Sequence, residues 1–357
     1  MKHNQLIMFI VVAGILYASN CSSKSDIDIQ NTDPLHVSLD TLFIAGGSDA
    51  SNDDLIYRGY LQYMPFMDVD ESGNIWILNT GAGRLDVYAG DGSKISSFGR
   101  KGNGPGEFER PYGLNASKDV AWTWDGENQQ LCQWDLDLGL LQTTRTEIGL
   151  SSLWHLTVGP DGQLWFLRAM PKDEGDTEIP VNLIEVLPDG TTSTQMELVA
   201  PGLLLPTYSG FTYMPVITSA FSGELVIAPT FEYELVNVSR VDRDSWKYPS
   251  YNLPYRKIGG FSIGGEHYDL PPLSHYPDIF QLIPVNSNEL WIRTYIESES
   301  DYIRYDRVGN DGVQLGSYWL PRTWWKIRII EETLYVLDSN RDEGIRLIGM
   351  KFRPAKD

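Results

Sequence analysis

Short bursts of alternating apolar and polar residues recur along this chain, and their spacing is the first clue to its fold. The repeated unit is a turn, a polar residue, an aliphatic residue and then a large aromatic or aliphatic one. It reads Ser72-Gly73-Asn74-Ile75-Trp76 and Asp161-Gly162-Gln163-Leu164-Trp165. Looser copies are Ser222-Gly223-Glu224-Leu225-Val226, Ser287-Asn288-Glu289-Leu290-Trp291 and Glu331-Glu332-Thr333-Leu334-Tyr335, with a weaker one at Lys118-Asp119-Val120-Ala121-Trp122. The last residues of successive copies stand 46, 43, 61, 65 and 44 residues apart. The short intervals match the roughly 40–50 residues of a four-stranded propeller blade, and the two long ones require inserted loops.

Within the first unit the strands can be read directly. They are Phe66–Asp70, Asn74–Leu78, Arg84–Tyr88 and Lys94–Phe98, separated by Glu71-Ser72-Gly73 and Gly90-Asp91-Gly92. Gly and Asp supply the backbone angles of tight hairpins. No stretch holds an apolar stripe at helical period for three turns. At the C-terminus only three strands are legible: Trp324–Ile330, Thr333–Asp338 and Ile345–Phe352. The alternating segment Val37–Ile44 supplies a fourth, and a strand from the N-terminus would leave no unpaired wedge in the ring. The expectation is an all-β, six-bladed β-propeller with four-stranded antiparallel blades, the last closed by an N-terminal strand.

Phe98-Gly99-Arg100-Lys101-Gly102-Asn103-Gly104-Pro105-Gly106-Glu107-Phe108, then Pro111, follows a blade reading Asp70…Ile75-Trp76…Val87-Tyr88…Asp91-Gly92. This segment resembles NHL-repeat and related six-bladed propellers, a kind of domain that exported lipoproteins of the Bacteroidetes type often carry. The resemblance spans about residues 33 to 357, and the remaining blades match in pattern only. In that family the motif joins one blade to the next, so the resemblance implies a structural role and carries no catalytic residue.

The start of the chain is different. Met1–Gln5 is short and polar with one Lys, Leu6–Tyr17 is apolar, and Ala18-Ser19-Asn20 leads to Cys21. That is the layout of a secretory signal, too short to span a bilayer. The expected organisation is a lipoprotein signal peptide over 1–20, a flexible tether over 21–32 and the propeller over 33–357. Cys21 is the expected lipidation site, although Ala18 and Asn20 depart from the usual residues there; an ordinary signal cut nearby would leave Cys21 free. Location follows from it: exported and lipid-anchored in the bacterial cell envelope, at the outer membrane. Cys132 is then left without a partner, and its alternating surroundings read as a buried thiol in a core that needs no disulfide.

Charge narrows the partners. The chain of 357 residues carries a formal net charge of −20, which repels phosphate backbones and excludes nucleic acid. The inserted segments Arg168–Ile179, Thr294–Asp301, Glu197–Phe211 and Ser250–Pro277 all fall on one face of the ring, where binding loops of repeat scaffolds cluster. They are rich in aromatics, among them Tyr208, Phe211, Tyr213, Tyr251, Tyr255, Tyr268 and Tyr276; such rings suit sugars and peptides and also simply pack loops down. Residues opening the inner strands should line the channel mouth: Tyr112, Trp154, His155, Tyr213, Asp278 and Trp325. The reading is a membrane-anchored binding or scaffolding protein that recognises a peptide, protein or glycan, with no catalytic residue and no cofactor assigned.

A second reading comes from fold analogy alone. Metal-dependent lactonases and lyases hold a cation in the propeller channel, which would use His155, Asp278 and His275 or Glu232 here and would make the chain a metal-dependent hydrolase or lyase. Other signals are weak. Asp68-Val69-Asp70-Glu71-Ser72-Gly73-Asn74 mimics a calcium loop but has Asn79 where the closing Glu belongs, and reads better as a hairpin turn. There is no zinc-spaced His cluster, nucleophile elbow or phosphate-binding loop.

Overall fold

Strand two of each blade is an almost unbroken apolar run, because both of its faces are buried. In the computed structural model Ile75 and Ile77 point into one inter-blade core and Trp76 and Leu78 into the next. Leu225 and Ile227 divide in the same way from Val226 and Ala228, as do Leu334 and Val336 from Tyr335 and Leu337. Period-two side chains on a sheet packed from both sides demand this pattern. Six apolar clusters result, one at each interface between neighbouring blades.

The structure describes residues 38–48, 50–51, 55–56, 65–118, 120–146, 153–159, 162–169, 178–187, 189–205, 208–211, 215–220, 223–229, 233–238, 245–247, 261–263, 266–268, 279–297, 301–339 and 343–353. Strand β1 is Ser38–Gly46. The first blade is β2 (Phe66–Val69), β3 (Ile75–Asn79), β4 (Arg84–Tyr88) and β5 (Lys94–Phe98); the second is β6 (Pro111–Ser117), β7 (Val120–Asp125), β8 (Gln130–Asp135) and β9 (Gly139–Arg145). The third is β10 (Leu153–Val158), β11 (Leu164–Ala169), β12 (Glu178–Val186), β13 (Thr192–Leu205) and β14 (Tyr208–Phe211). The fourth is β15 (Val216–Ala220), β16 (Glu224–Ala228), β17 (Glu234–Asn237) and β18 (Ser245–Lys247), followed by a separate hairpin, β19 (Phe261–Ile263) and β20 (Glu266–Tyr268). The fifth is β21 (Ile279–Asn286), β22 (Glu289–Glu297), β23 (Tyr302–Gly309) and β24 (Gln314–Pro321); the sixth is β25 (Trp324–Ile330), β26 (Thr333–Asp338) and β27 (Arg346–Arg353).

Each blade is antiparallel, and each inner strand touches both neighbouring inner strands, so the six close into a ring. The six-bladed propeller expected from the repeat is therefore the fold. The last sheet runs β1-β27-β26-β25, so the N-terminal strand is its outer strand. Phe43 of β1 lies over Gly349 of β27, where an added Cβ would meet the ring at 2.1 Å. Two expectations change. Glu197–Phe211 is largely a β-hairpin, since β13 runs on past its blade and pairs with β14 from Gly202↔Phe211 to Leu205↔Tyr208. The Ser250–Pro277 connection contains the β19–β20 hairpin. Backbone groups left in a long loop need partners, and a hairpin supplies them locally.

Polar residues inside the blades are structural. Asp70 accepts from the Ser72 and Asn74 amides and from Trp76 Nε1 at 2.8 Å, so the calcium-like segment is a turn whose carboxylate is fully engaged. The glycine motif is a blade connection. Gly104 N–H donates to Glu107 at 2.9 Å, and Phe108 is buried against Trp134. On strand three, Asp86 and Asp306 hold equivalent places. Arg84 and Ser97 donate to the first, Arg304 and Ser317 to the second. Cys132, a buried free thiol, stands at the same place in the second blade and meets Thr143 Oγ1 at 3.7 Å. Burial raises its pKa, which suits an inert core position.

Candidate binding site at the channel mouth

The inner strands are not regular where they begin. In four of the six, the register with strand two slips near the strand start: at Tyr112 in β6, His155–Leu156 in β10, Phe280 in β21 and Trp325 in β25. A bulge adds an unpaired residue and re-aims its side chain. His155 has φ of +52°, a left-handed backbone that residues bearing a Cβ rarely adopt. Strain of this sort persists only where surrounding structure enforces it.

The third and sixth blades stand opposite each other in a six-membered ring. His155 of β10 nevertheless feels the charge of Lys326 on β25, so both side chains project toward the axis. His155 is exposed, although it stands on an inner strand of the ring. Burial among those strands, and secondarily the Lys326 ammonium, pull its pKa from 6.5 to about 4. Its exposure softens the desolvation; the sign still leaves a neutral imidazole at pH 7.

Lys326 sits over the Phe66 ring, 5.6 Å from its centroid. Burial, then the like charges of Arg328 and Arg293, lower its pKa from 10.5 to about 8, with Asp68 opposing. Arg293 comes from β22 and is only 5% exposed. Its guanidinium lies 4.6 Å from the centroid of Phe280, Nη1 donates to the Trp325 carbonyl at 3.3 Å, and Nε meets no acceptor. Phe280 and Trp325 in turn meet edge to face. Among the described residues no carboxylate pairs with Lys326 or Arg293.

Deeper in the ring the charges are matched. Arg328 Nε donates to Asp68 Oδ1 at 2.5 Å, and Ala116 N–H donates to Asp68 Oδ2 at 2.9 Å. In the same manner Thr157 Oγ1 accepts from Ser219 N–H at 3.2 Å. Inner-strand side chains thus bind the backbone of the next inner strand, forming a polar floor below the mouth.

Of the residues expected at the mouth, the structure places Tyr112 and Trp325 at equivalent bulges and His155 at one a residue further along, with Tyr112 also packed partly against the core between the second and third blades. Trp154 lies in β10, and Tyr208 and Phe211 in β14, by backbone. Cys21, Tyr213, Tyr276, Asp278, His275 and Glu232 lie outside the described residues. Sequence reasoning missed Phe66, Asp68, Phe280, Arg293, Lys326 and Arg328. Their signal was present as charges inside otherwise apolar strands: Phe66-Met67-Asp68-Val69, Leu290-Trp291-Ile292-Arg293 and Trp325-Lys326-Ile327-Arg328-Ile329.

The described lining does not fit the divalent metal suggested by fold analogy. Lys326, Arg293 and Arg328 would repel it, and the one carboxylate among them, Asp68, is already committed. No cluster of three or more His, Cys, Asp or Glu side chains able to hold a metal occurs among the described residues.

No protein-family model matches the sequence. No curated protein matches it either. Solved structures do. A candidate exported protein from Bacteroides fragilis is 11% identical with a TM-score of 0.53, covering 91% of this chain and 97% of that one. A member of the DUF4221 family from Bacteroides vulgatus is 10% identical with a TM-score of 0.50, covering 90% and 99%. Virginiamycin B lyase from Staphylococcus aureus is 14% identical over 88% of this chain and 99% of that one, with a TM-score of 0.48. At these identities what is shared is the propeller fold.

Proposed function

We propose that this chain is an exported, envelope-anchored binding protein that takes its ligand at the mouth of the propeller channel, on the face carrying the long hairpins. One observation carries the reading: four inner strands bulge near their starts, three at the same register with an aromatic residue and β10 one residue further along at His155. Regular strands pair better, so four departures near one end of the ring are a feature with a use. Tyr112, Phe280 and Trp325 offer flat surfaces that suit a sugar ring or a peptide side chain. The extended β13–β14 hairpin rises from this same end of the third blade, at its outer edge.

The immobilised protein should retain a component of envelope extract, and Trp325→Ala should lose it by about tenfold or more with the melting temperature nearly unchanged. Equal retention by Trp325→Ala would move the ligand off the channel mouth. Anchoring is tested separately. The layout up to Cys21 supports lipidation, so Cys21→Ser should shift the protein from the membrane fraction to the soluble envelope fraction. Membrane retention of that variant would overturn the anchor.

A further inference from the structure

We propose that the channel mouth binds a carboxylate carried on a flat organic body, with the carboxylate held between Lys326 and Arg293. This rests on the binding reading above and gives the ligand a charge and a shape. Arg293 is only 5% exposed, yet among the described residues it has no carboxylate partner and its Nε meets no acceptor. Buried charges are normally paired, and a buried donor without an acceptor marks the place of a missing one. Lys326, on the neighbouring blade, lies over the Phe66 ring and pairs with no carboxylate among the described residues. The two cations repel each other, which is part of why Lys326 holds its proton less firmly; an anion between them would remove that repulsion.

The rest of the site selects among anions. Asp68 cannot serve as the counter-charge, because Arg328 and the Ala116 amide already occupy it. A planar guanidinium and one ammonium match the fork of a carboxylate. Phe66, Phe280 and Trp325 border the cations with aromatic faces, which favour a flat apolar or ring-shaped body over a bare inorganic ion. The chain as a whole carries −20, so a polyanion is repelled at long range while a small monoanion can reach the local cations. Across the channel His155 is neutral and adds no competing charge, while its ring nitrogens can share a hydrogen bond with the ligand.

The test is calorimetric titration of the full-length protein with sodium benzoate, sodium acetate and inorganic phosphate at constant ionic strength. Benzoate should saturate one site and bind at least tenfold more tightly than acetate or phosphate. Its affinity should fall as pH rises through about 8, where Lys326 loses its proton. Lys326→Met should weaken benzoate by tenfold or more while the melting temperature stays level or rises, since a half-buried cation without a carboxylate partner among the described residues has been removed. Arg293→Lys keeps the charge but loses the fork, and should weaken benzoate and acetate alike, since both present the same carboxylate. Absence of saturable benzoate binding, or binding indifferent to Lys326→Met, would overturn the proposal. Equal binding of phosphate would overturn the flat-body part. The two readings fail separately. If benzoate does not bind but an envelope ligand is still lost on Trp325→Ala, only the carboxylate falls. If benzoate binds and retention ignores Trp325, the mouth holds an anion but not the envelope ligand.

Discussion

Asp68→Ala is expected to lower the unfolding free energy by about 3 kcal/mol, at the low end of what breaking a buried ion pair costs because Arg328 keeps some exposure. The carboxylate is 4% exposed as a residue and sits on the inner strand of the first blade. It accepts from Arg328 on the sixth blade and from the Ala116 amide on the second. One side chain therefore ties three consecutive blades at the centre of the ring, next to the blade where the chain's two ends meet. Alanine would leave a guanidinium without its counter-charge and a backbone N–H without an acceptor. Unmade bonds of this kind cost more than made ones contribute. Asp68→Asn keeps an acceptor for Ala116 and loses only the charge, so guanidinium-induced unfolding should place it between wild type and alanine. A loss below about 1 kcal/mol for Asp68→Ala would mean that water replaces the carboxylate at little cost. In that case the floor of the channel is wet rather than a fixed girdle.

How far the sequence foretold all this depends on the kind of signal each part leaves. The propeller was legible because strand two repeats an apolar run, and because hairpin turns such as Gly90-Asp91-Gly92 announce themselves in Gly and Asp. Trp76, Trp165, Trp291 and Tyr335 marked their blades correctly. The closing strand was legible by arithmetic, as three strands at one end and a stray one at the other. The hairpin β13–β14 was not, because Pro201, Gly202 and Pro206 read as loop punctuation, while pairing with β12 and β14 overrides that local preference. The site was only half legible. Counting to the starts of the inner strands led to Tyr112, His155 and Trp325, which stand where those strands bulge. A bulge, however, cannot be read from composition, and Arg293 comes from strand two, which counting inner-strand starts never visits. Lys326 and Arg328 alternate with Ile327 and Ile329, a pattern that on a surface strand would mean an ordinary solvated face. Only closure of the ring turns that face inward.

The same two-sided burial that made strand two readable sets the second large effect. Trp76→Ala is expected to cost about 3–5 kcal/mol, as for other large-to-small changes of an aromatic in a packed core. Trp76 is wholly buried at 0% exposure, in the cluster between the first and second blades, stacked with Phe98 at 6.3 Å. Its Nε1 also donates to Asp70 at 2.8 Å, bracing the hairpin turn that starts the strand. Trp76→Phe keeps most of the ring and drops that hydrogen bond, so the difference between the two variants separates cavity from turn; the hydrogen bond alone should account for about 1–2 kcal/mol. The form of the unfolding curve is as informative as its midpoint. Strand three and strand two of each blade feed two neighbouring cores, so weakening one core should be shared around the ring. The expected result in Trp76→Ala is one cooperative transition moved to lower denaturant with its slope retained. A separate early transition would show instead that the first and second blades can open while the others hold.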